Sequence, residues 1–156
     1  MDIYGKNLQL DSLDLQILSI LMKDSRIPYL EIARQCNVSG GTIHVRLKKI
    51  EEIGIIKGSK LIVDNEKLGY DICCFVGINL EKASFLSSVA YELEKIPEII
   101  ELYYTTGDYS IFLKVVCKNI SHLQKLLANE LQTIRGVQST HTTICLLQKF
   151  NRNINI

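Results

Sequence analysis

The residues best equipped for chemistry in this 156-residue chain form a run of small, polar and basic side chains between positions 39 and 60. Ser39, Gly41, Thr42, His44, Val45, Arg46, Lys48 and Lys49 fall close together, and Lys57 and Lys60 follow. Their chemistry suits a polyanion that also presents hydrogen-bonding edges, which is double-stranded DNA. Thr42, His44 and Val45 offer hydroxyl, imidazole and methyl contacts to base edges. Lys48, Lys49, Lys57 and Lys60 suit phosphates, whose neutralisation fixes position without reading sequence. Arg46 has two open readings, a phosphate or an intramolecular carboxylate such as Glu31. The net charge of the whole chain is only +1. Residues 39–60 nevertheless carry five Lys/Arg against Glu51 and Glu52, whereas from Asp64 onward nine basic residues face ten acidic ones. The positive charge is concentrated where a groove-binding element would stand.

These residues need an element to present them, and the spacing supplies one. Ile43, Leu47, Ile50 and Gly54 recur at helical intervals and define a buried stripe. Gly41, Thr42, Val45, Lys48 and Lys49 lie opposite or beside it, with His44 and Arg46 at its edges. Ser39 is suited to cap this helix by accepting a bond from an orphan amide. Upstream, Ser12 to Lys23 predicts a first helix with Leu13, Ile17, Leu18 and Leu21 inward and Asp14 in the first turn, where a carboxylate favours the helix dipole. Pro28 opens a second helix, Tyr29 to Cys36, whose buried side is read as Leu30, Ile32 and Ala33. Asn37-Val38-Ser39 is then the short turn of a helix-turn-helix. Ile55 to Val63, turning at Gly58-Ser59 between Lys57 and Lys60, predicts a hairpin wing.

From Tyr70 the period changes to two. Ile72, Cys74, Val76, Ile78 and Leu80 take one face of a strand, with Asp71, Cys73, Phe75, Gly77 and Asn79 on the other. Leu86, Val89, Leu93 and Ile96 form a helical stripe ended by Pro97. Ile99 to Thr106 and Tyr109 to Cys117 read as strands joined at Thr106-Gly107-Asp108. Ser121 is placed as the cap of a helix carrying Leu123, Leu126, Leu127, Leu131 and Ile134, stopped by Gly136. Val137 to Leu147 is the last strand. The fold class is therefore α+β: an N-terminal winged helix-turn-helix over 1–63, including an N-terminal arm and the wing, then a ferredoxin-like βαββαβ sandwich over 64–156. Cys73, Phe75, Phe112 and Val116 fall on the sheet face turned from the helices. An apolar face of that kind meets a partner, so at least a homodimer is expected. A dimer also supplies two recognition helices for two half-sites.

Other classes find little support. Five cysteines, at 36, 73, 74, 117 and 145, include no C-x-x-C pair and read as buried reduced thiols of a cytoplasmic protein. The histidines, 44, 122 and 141, have no metal-ligand spacing, so no metal site is expected. Met1 to Asp11 lacks the pattern of a signal peptide, and no apolar run is long enough to span a membrane. No catalytic constellation and no cofactor motif is present, so the chain does not read as an enzyme.

The order of elements, with Leu13-Asp14-Leu15-Gln16-Ile17-Leu18, Ser39 to Ile56, Leu68-Gly69-Tyr70 and Tyr103-Tyr104-Thr105-Thr106-Gly107-Asp108-Tyr109-Ser110, resembles the Lrp/AsnC (feast/famine) family of transcription regulators over nearly the whole chain. Gly41 to Arg46, Tyr109-Ser110-Ile111-Phe112 and Gln138-Ser139-Thr140 resemble its asparagine-responsive members. Asp108 departs from those members, where histidine is expected, and matches many others. The resemblance implies a sequence-specific DNA-binding regulator modulated by a small amino acid, with asparagine the leading candidate effector. It further implies a homodimer formed through the sheet and assembled into an octamer-like ring, with the effector between sandwiches. Carried over, the effector pocket uses Tyr104, Thr106, Gly107, Asp108, Tyr109 and Ser110, with Gln138, Ser139, Thr140 and Thr142 opposite. An ammonium group would find Asp108, and a carboxylate the amides near Gly107 and the nearby hydroxyls. Two alternatives share the architecture: an effector-independent architectural DNA binder, and a sirohaem-decarboxylase-like enzyme. The latter would have to work with His122 and His141 alone, without a His-x-Tyr-x-Arg-like string.

Overall fold

The computed structural model describes residues 10–156, and the expected N-terminal arm at 1–9 lies outside the described residues. The chain divides into two compact units. One runs to Leu61 and takes in Asn151–Ile156; the other is Ile62–Phe150. The division falls two residues before the expected one, and the last six residues group with the first unit instead of the second. Asn153 accounts for part of this, since its side-chain amide donates to the Met22 carbonyl at 3.2 Å.

In the first unit, α1 (Ser12–Lys23), α2 (Tyr29–Gln35) and α3 (Gly40–Glu52) pack around Ile17, Ile32, Ala33, Ile43 and Leu47. A reciprocal box starts α1: Asp11 caps it by accepting from the Asp14 amide at 2.9 Å, and the Asp14 carboxylate accepts from the Asp11 amide at 3.3 Å. Pro28 stands just ahead of α2, as its cap residue. Leu30, expected inward, is 78% exposed, because it lies some 200° around the helix from Ile32. Asn37, at φ 54, turns the chain toward α3.

Gly54 was expected in the apolar stripe of α3; instead it ends the helix. It sits at φ +77, with its amide bonded to the Glu51 carbonyl at 2.9 Å and the Ile55 amide to that of Ile50 at 3.2 Å. That is a Schellman stop, which favours a residue without a side chain. The wing segment Ile55–Val63 carries no strand, contrary to the expected hairpin. A two-stranded ribbon without a third strand or a packed face is marginal in water, and Leu61, Ile62 and Val63 are exposed.

The second unit is a four-stranded antiparallel sheet of order β2-β3-β1-β4, built from β1 (Ile72–Leu80), β2 (Ile99–Tyr104), β3 (Ile111–Cys117) and β4 (Val137–Ile144). It carries α4 (Leu86–Leu93) and α5 (Ile120–Lys125), and this is the expected βαββαβ order. Cys74, Val76 and Ile78 of β1 join Ile111, Leu113 and Val115 of β3 and Val89, Leu93, Leu123, Leu126 and Leu131 in one apolar core. Asn119, not Ser121, caps α5, accepting from the His122 amide at 2.9 Å. After Lys125 the helix widens into one π turn, Leu126–Glu130, then tightens into a 3-10 turn at Leu131–Thr133, which keeps both Leu126 and Leu131 buried. β2, β3 and β4 are shorter than expected, so residues 105–110 form a loop and Leu146 and Leu147 are exposed.

Among the described residues no helix is long and apolar enough to cross a membrane, and no group of His, Cys, Asp or Glu is arranged to hold a metal ion. The five cysteines are free thiols. Burial pushes Cys74 and Cys117 up to about 11.

Candidate functional site

The recognition helix is fixed at its start by Ser39, whose hydroxyl accepts from the Thr42 amide at 3.1 Å. The two hydroxyls also share a hydrogen bond at 2.9 Å, which orients Thr42 on the first turn. Ile43, Leu47 and Ile50 anchor the inner face. Gly41, His44, Val45, Lys48 and Lys49 are exposed, and Thr42 is half-buried beside them. Val45 is 67% exposed, which leaves its methyls open to contact. Lys48 makes only a distant ion pair with Glu52, at 3.9 Å on the surface. Lys57 and Lys60 are exposed on the wing segment.

Arg46 takes the second of its two readings, an intramolecular carboxylate, but not the one suggested as an example. Its guanidinium reaches Asp14 at 3.0 Å and also contacts Asp11. Glu31, the carboxylate considered from sequence, is instead taken by Arg34 at 2.8 Å and Gln35 at 3.1 Å. Lys49 joins the same cluster, its ammonium 3.1 Å from Asp14. Asp14 is fully buried. Burial alone would push its carboxyl up, but hydrogen bonds from Arg46 and Lys49 outweigh that and hold it below the usual carboxylate range. Arg46 does the same for Asp11.

Asp11, and the ion pairs that Asp14 makes, are what sequence reasoning missed. A signal existed for Asp14. It shares the inward face of α1 with Ile17, Leu18 and Leu21, and a carboxylate on a buried face needs a cation.

The hairpin loop between β2 and β3 holds the first half of the candidate effector set. Thr105 braces it, its amide donating to the Ser110 carbonyl at 3.2 Å and its hydroxyl to the Tyr109 carbonyl at 2.8 Å. The Ser110 amide donates to the Ile78 carbonyl at 3.0 Å, so the loop end joins the central strand. Tyr104, Thr106, Gly107 and Asp108 are exposed.

Tyr109 turns back over the open sheet face. Its ring lies on Gly77, where a Cβ would come within 2.5 Å of the ring. Around it stand Phe112, with ring centroids 6.2 Å apart, and His141, at 6.0 Å, while Phe112 stacks on Phe75 at 5.8 Å. The apolar face expected from Cys73, Phe75, Phe112 and Val116 is therefore aromatic at its centre. A polar row that sequence reasoning missed borders it: Lys114 reaches Glu101 at 3.4 Å, and the Tyr103 hydroxyl donates to Glu101 at 2.6 Å.

The second half of the effector set does not share one face. Thr140 and Thr142 pair with Ile78 and Val76, so they point to the helix side, whereas Gln138 falls at the register shift between Ser139 and Val137. Ser139 points to the open side with His141. The Thr140 hydroxyl accepts from Gln132 at 3.1 Å, and that of Ser139 from Asn79 at 3.4 Å.

Comparison with known proteins gives the same division of labour. Residues 10–57 match the winged helix-turn-helix DNA-binding family, and residues 73–154 the Lrp/AsnC ligand binding domain. The chain is 50% identical over 145 residues to regulatory protein AsnC of Haemophilus influenzae, covering 93% of this chain and 97% of that one. It is 47% identical to the same-named protein of Escherichia coli K12 over 149 residues, covering 96% of this chain and 98% of the relative. The solved E. coli AsnC structure superposes with a TM-score of 0.88, covering 93% of this chain and 97% of that chain. The fold also matches NMB0573 of Neisseria meningitidis, solved as an L-Met complex, at a TM-score of 0.87 and 22% identity, over 92% of this chain and 94% of that one.

Proposed function

Because the chain belongs to the Lrp/AsnC family of DNA-binding, amino-acid-responsive transcription regulators, we propose that α3 enters the major groove with its exposed row foremost. Thr42, His44 and Val45 read base edges, Ser39 and Gly41 let the helix start approach closely, and Lys48, Lys57 and Lys60 hold phosphates. Lys49 reaches DNA only with a charge it shares with Asp14. The observation that carries this reading is the exposure of Val45 and Lys48 on a helix whose other side is locked by Ile43, Leu47 and Ile50. Lys48→Ala tests it. Affinity should fall alike for all duplexes, and the log–log salt slope should shrink by about 0.9. An unchanged slope overturns the docking.

As in its family, the protein works as an oligomer. We place the dimer contact on the aromatic sheet face around Phe75, Phe112, Tyr109 and His141, and take an octamer-like ring of dimers as the working assembly, in the cytoplasm where the DNA is. The effector is an amino acid, with asparagine first among candidates. Similarity to the AsnC regulators and the exposed loop carrying Asp108 support that choice. Tyr104, Thr106, Gly107, Asp108, Tyr109 and Ser110 form one wall of the pocket, with Gln138, Ser139, Thr140 and Thr142 contributed across an assembly contact. A ligand bound at such a contact favours the arrangement that completes its pocket, and a coupling of about 1–3 kcal/mol changes DNA affinity roughly 5- to 150-fold.

Thermal unfolding against each of the twenty amino acids tests the effector. At 100 times its dissociation constant, a ligand adds about 2.7 kcal/mol to the folded state. Asparagine raising the midpoint alone supports the assignment; a different active amino acid replaces it. Silence across the panel removes the effector site from this loop.

A further inference from the structure

We propose that Asp11 and Asp14 act as a built-in substitute for DNA phosphate at Arg46, setting how strongly the recognition helix binds DNA of any sequence. The inference rests on the docking of α3 described above and concerns what limits it. By sequence, α3 presents three cations, Arg46, Lys48 and Lys49. In the fold, two of them turn to the carboxylates at the start of α1. Arg46 reaches Asp14 at 3.0 Å and contacts Asp11, and Lys49 reaches Asp14 at 3.1 Å. Asp14 is wholly buried, but the Asp11 side chain is 52% exposed and that of Arg46 28%. The Arg46–Asp11 contact therefore lies at the surface, on the helix that meets the groove. There a phosphate arriving at Arg46 must displace one carboxylate and approach another negative charge.

The arrangement has a functional consequence. Phosphate contacts supply essentially all non-specific affinity, while base contacts discriminate. Neutralising Arg46 internally removes one sequence-blind contact and leaves Thr42, His44 and Val45 unaffected. Asp11 thus weakens binding to every duplex alike, without touching a base. Its second task, capping α1, does not need its charge, because asparagine caps a helix as well as aspartate does.

Asp11→Asn separates the two tasks. Non-specific duplex binding by the full-length variant, measured against salt, should tighten several-fold at low salt, and its log–log slope should steepen by about 0.9. In an Arg46→Gln background the same substitution should change neither quantity. Circular dichroism and the thermal midpoint confirm that each variant is folded. A folded Asp11→Asn protein with wild-type affinity and slope overturns the proposal, as does an effect that persists without Arg46. If wild-type binding itself shows no salt dependence, the docking of α3 fails instead, and the Lys48→Ala measurement identifies that case.

Discussion

The two units solve the problem of holding together in different ways. The sandwich buries thirteen apolar residues in one cluster, without a charge among them. The three-helix unit buries five in its cluster, and it alone buries a charged group among the described residues, Asp14. A small helical unit gains little from area alone. Here a carboxylate tying α1 to α3 through Arg46 and Lys49 supplements it. An apolar core resists salt and pH, whereas an ionic tie answers to both, so the half that meets DNA is the more sensitive to its solution.

Leu131→Ala should have the largest effect of the substitutions that test this contrast. It removes a fully buried side chain next to the π turn and should cost about 2–5 kcal/mol. Amide hydrogen exchange in β1 and β3 reads the loss, and α3 should keep its protection. Asp14→Ala comes next, at about 2 kcal/mol, because two cations lose charged hydrogen bonds that tie α1 to α3. Here the pattern should invert, with α3 amides exposed and the strands unaffected. If either substitution loosened both units equally, the contrast would be wrong.

Acid gives a gentler version of the second test. The Asp14 carboxyl titrates lower in the folded chain than its ordinary 3.8. The unfolded form therefore takes up the proton first, and the stabilisation, complete above 3.8, is lost as pH falls below that value. α3 protection should drop in that range, and Asp14→Asn should remove the share of the drop that Asp14 contributes, leaving that of Asp11. The smallest effect is Ser39→Ala, about 1 kcal/mol from the lost cap, confined to the first turn of α3 and seen at the Thr42 amide.

What could be read from sequence follows the range of the interactions. The helix and strand periods are local, and both units follow from them, including the start and end of α1 at Ser12 and Lys23. Caps are local but degenerate: Asn119 and Ser121 both suit the start of α5, and only the backbone decides between them. The wing misleads because its apolar residues match a strand in type, while pairing depends on a neighbour that sequence does not supply. Arg46 shows the limit most plainly. Its nearby candidate, Glu31, is taken by Arg34, and its actual partners lie 32 and 35 positions away. The candidate effector residues split for a related reason. Ser139 and Thr140 are adjacent in sequence, but successive residues of a strand face opposite ways.

Gly77 and Tyr109 constrain how this chain can vary. The tyrosine ring occupies the space that any side chain at position 77 would need, so the two positions form a single unit of inheritance. A library that randomises residue 77 alone should return glycine. One that randomises residue 109 alone should return whatever lies flat on a bare strand. Only paired randomisation would uncover the other solutions, those with a side chain on the central strand and a smaller residue at the end of the loop. Engineering a new effector response into the hairpin therefore begins with two codons 32 positions apart, one of which lies outside the hairpin.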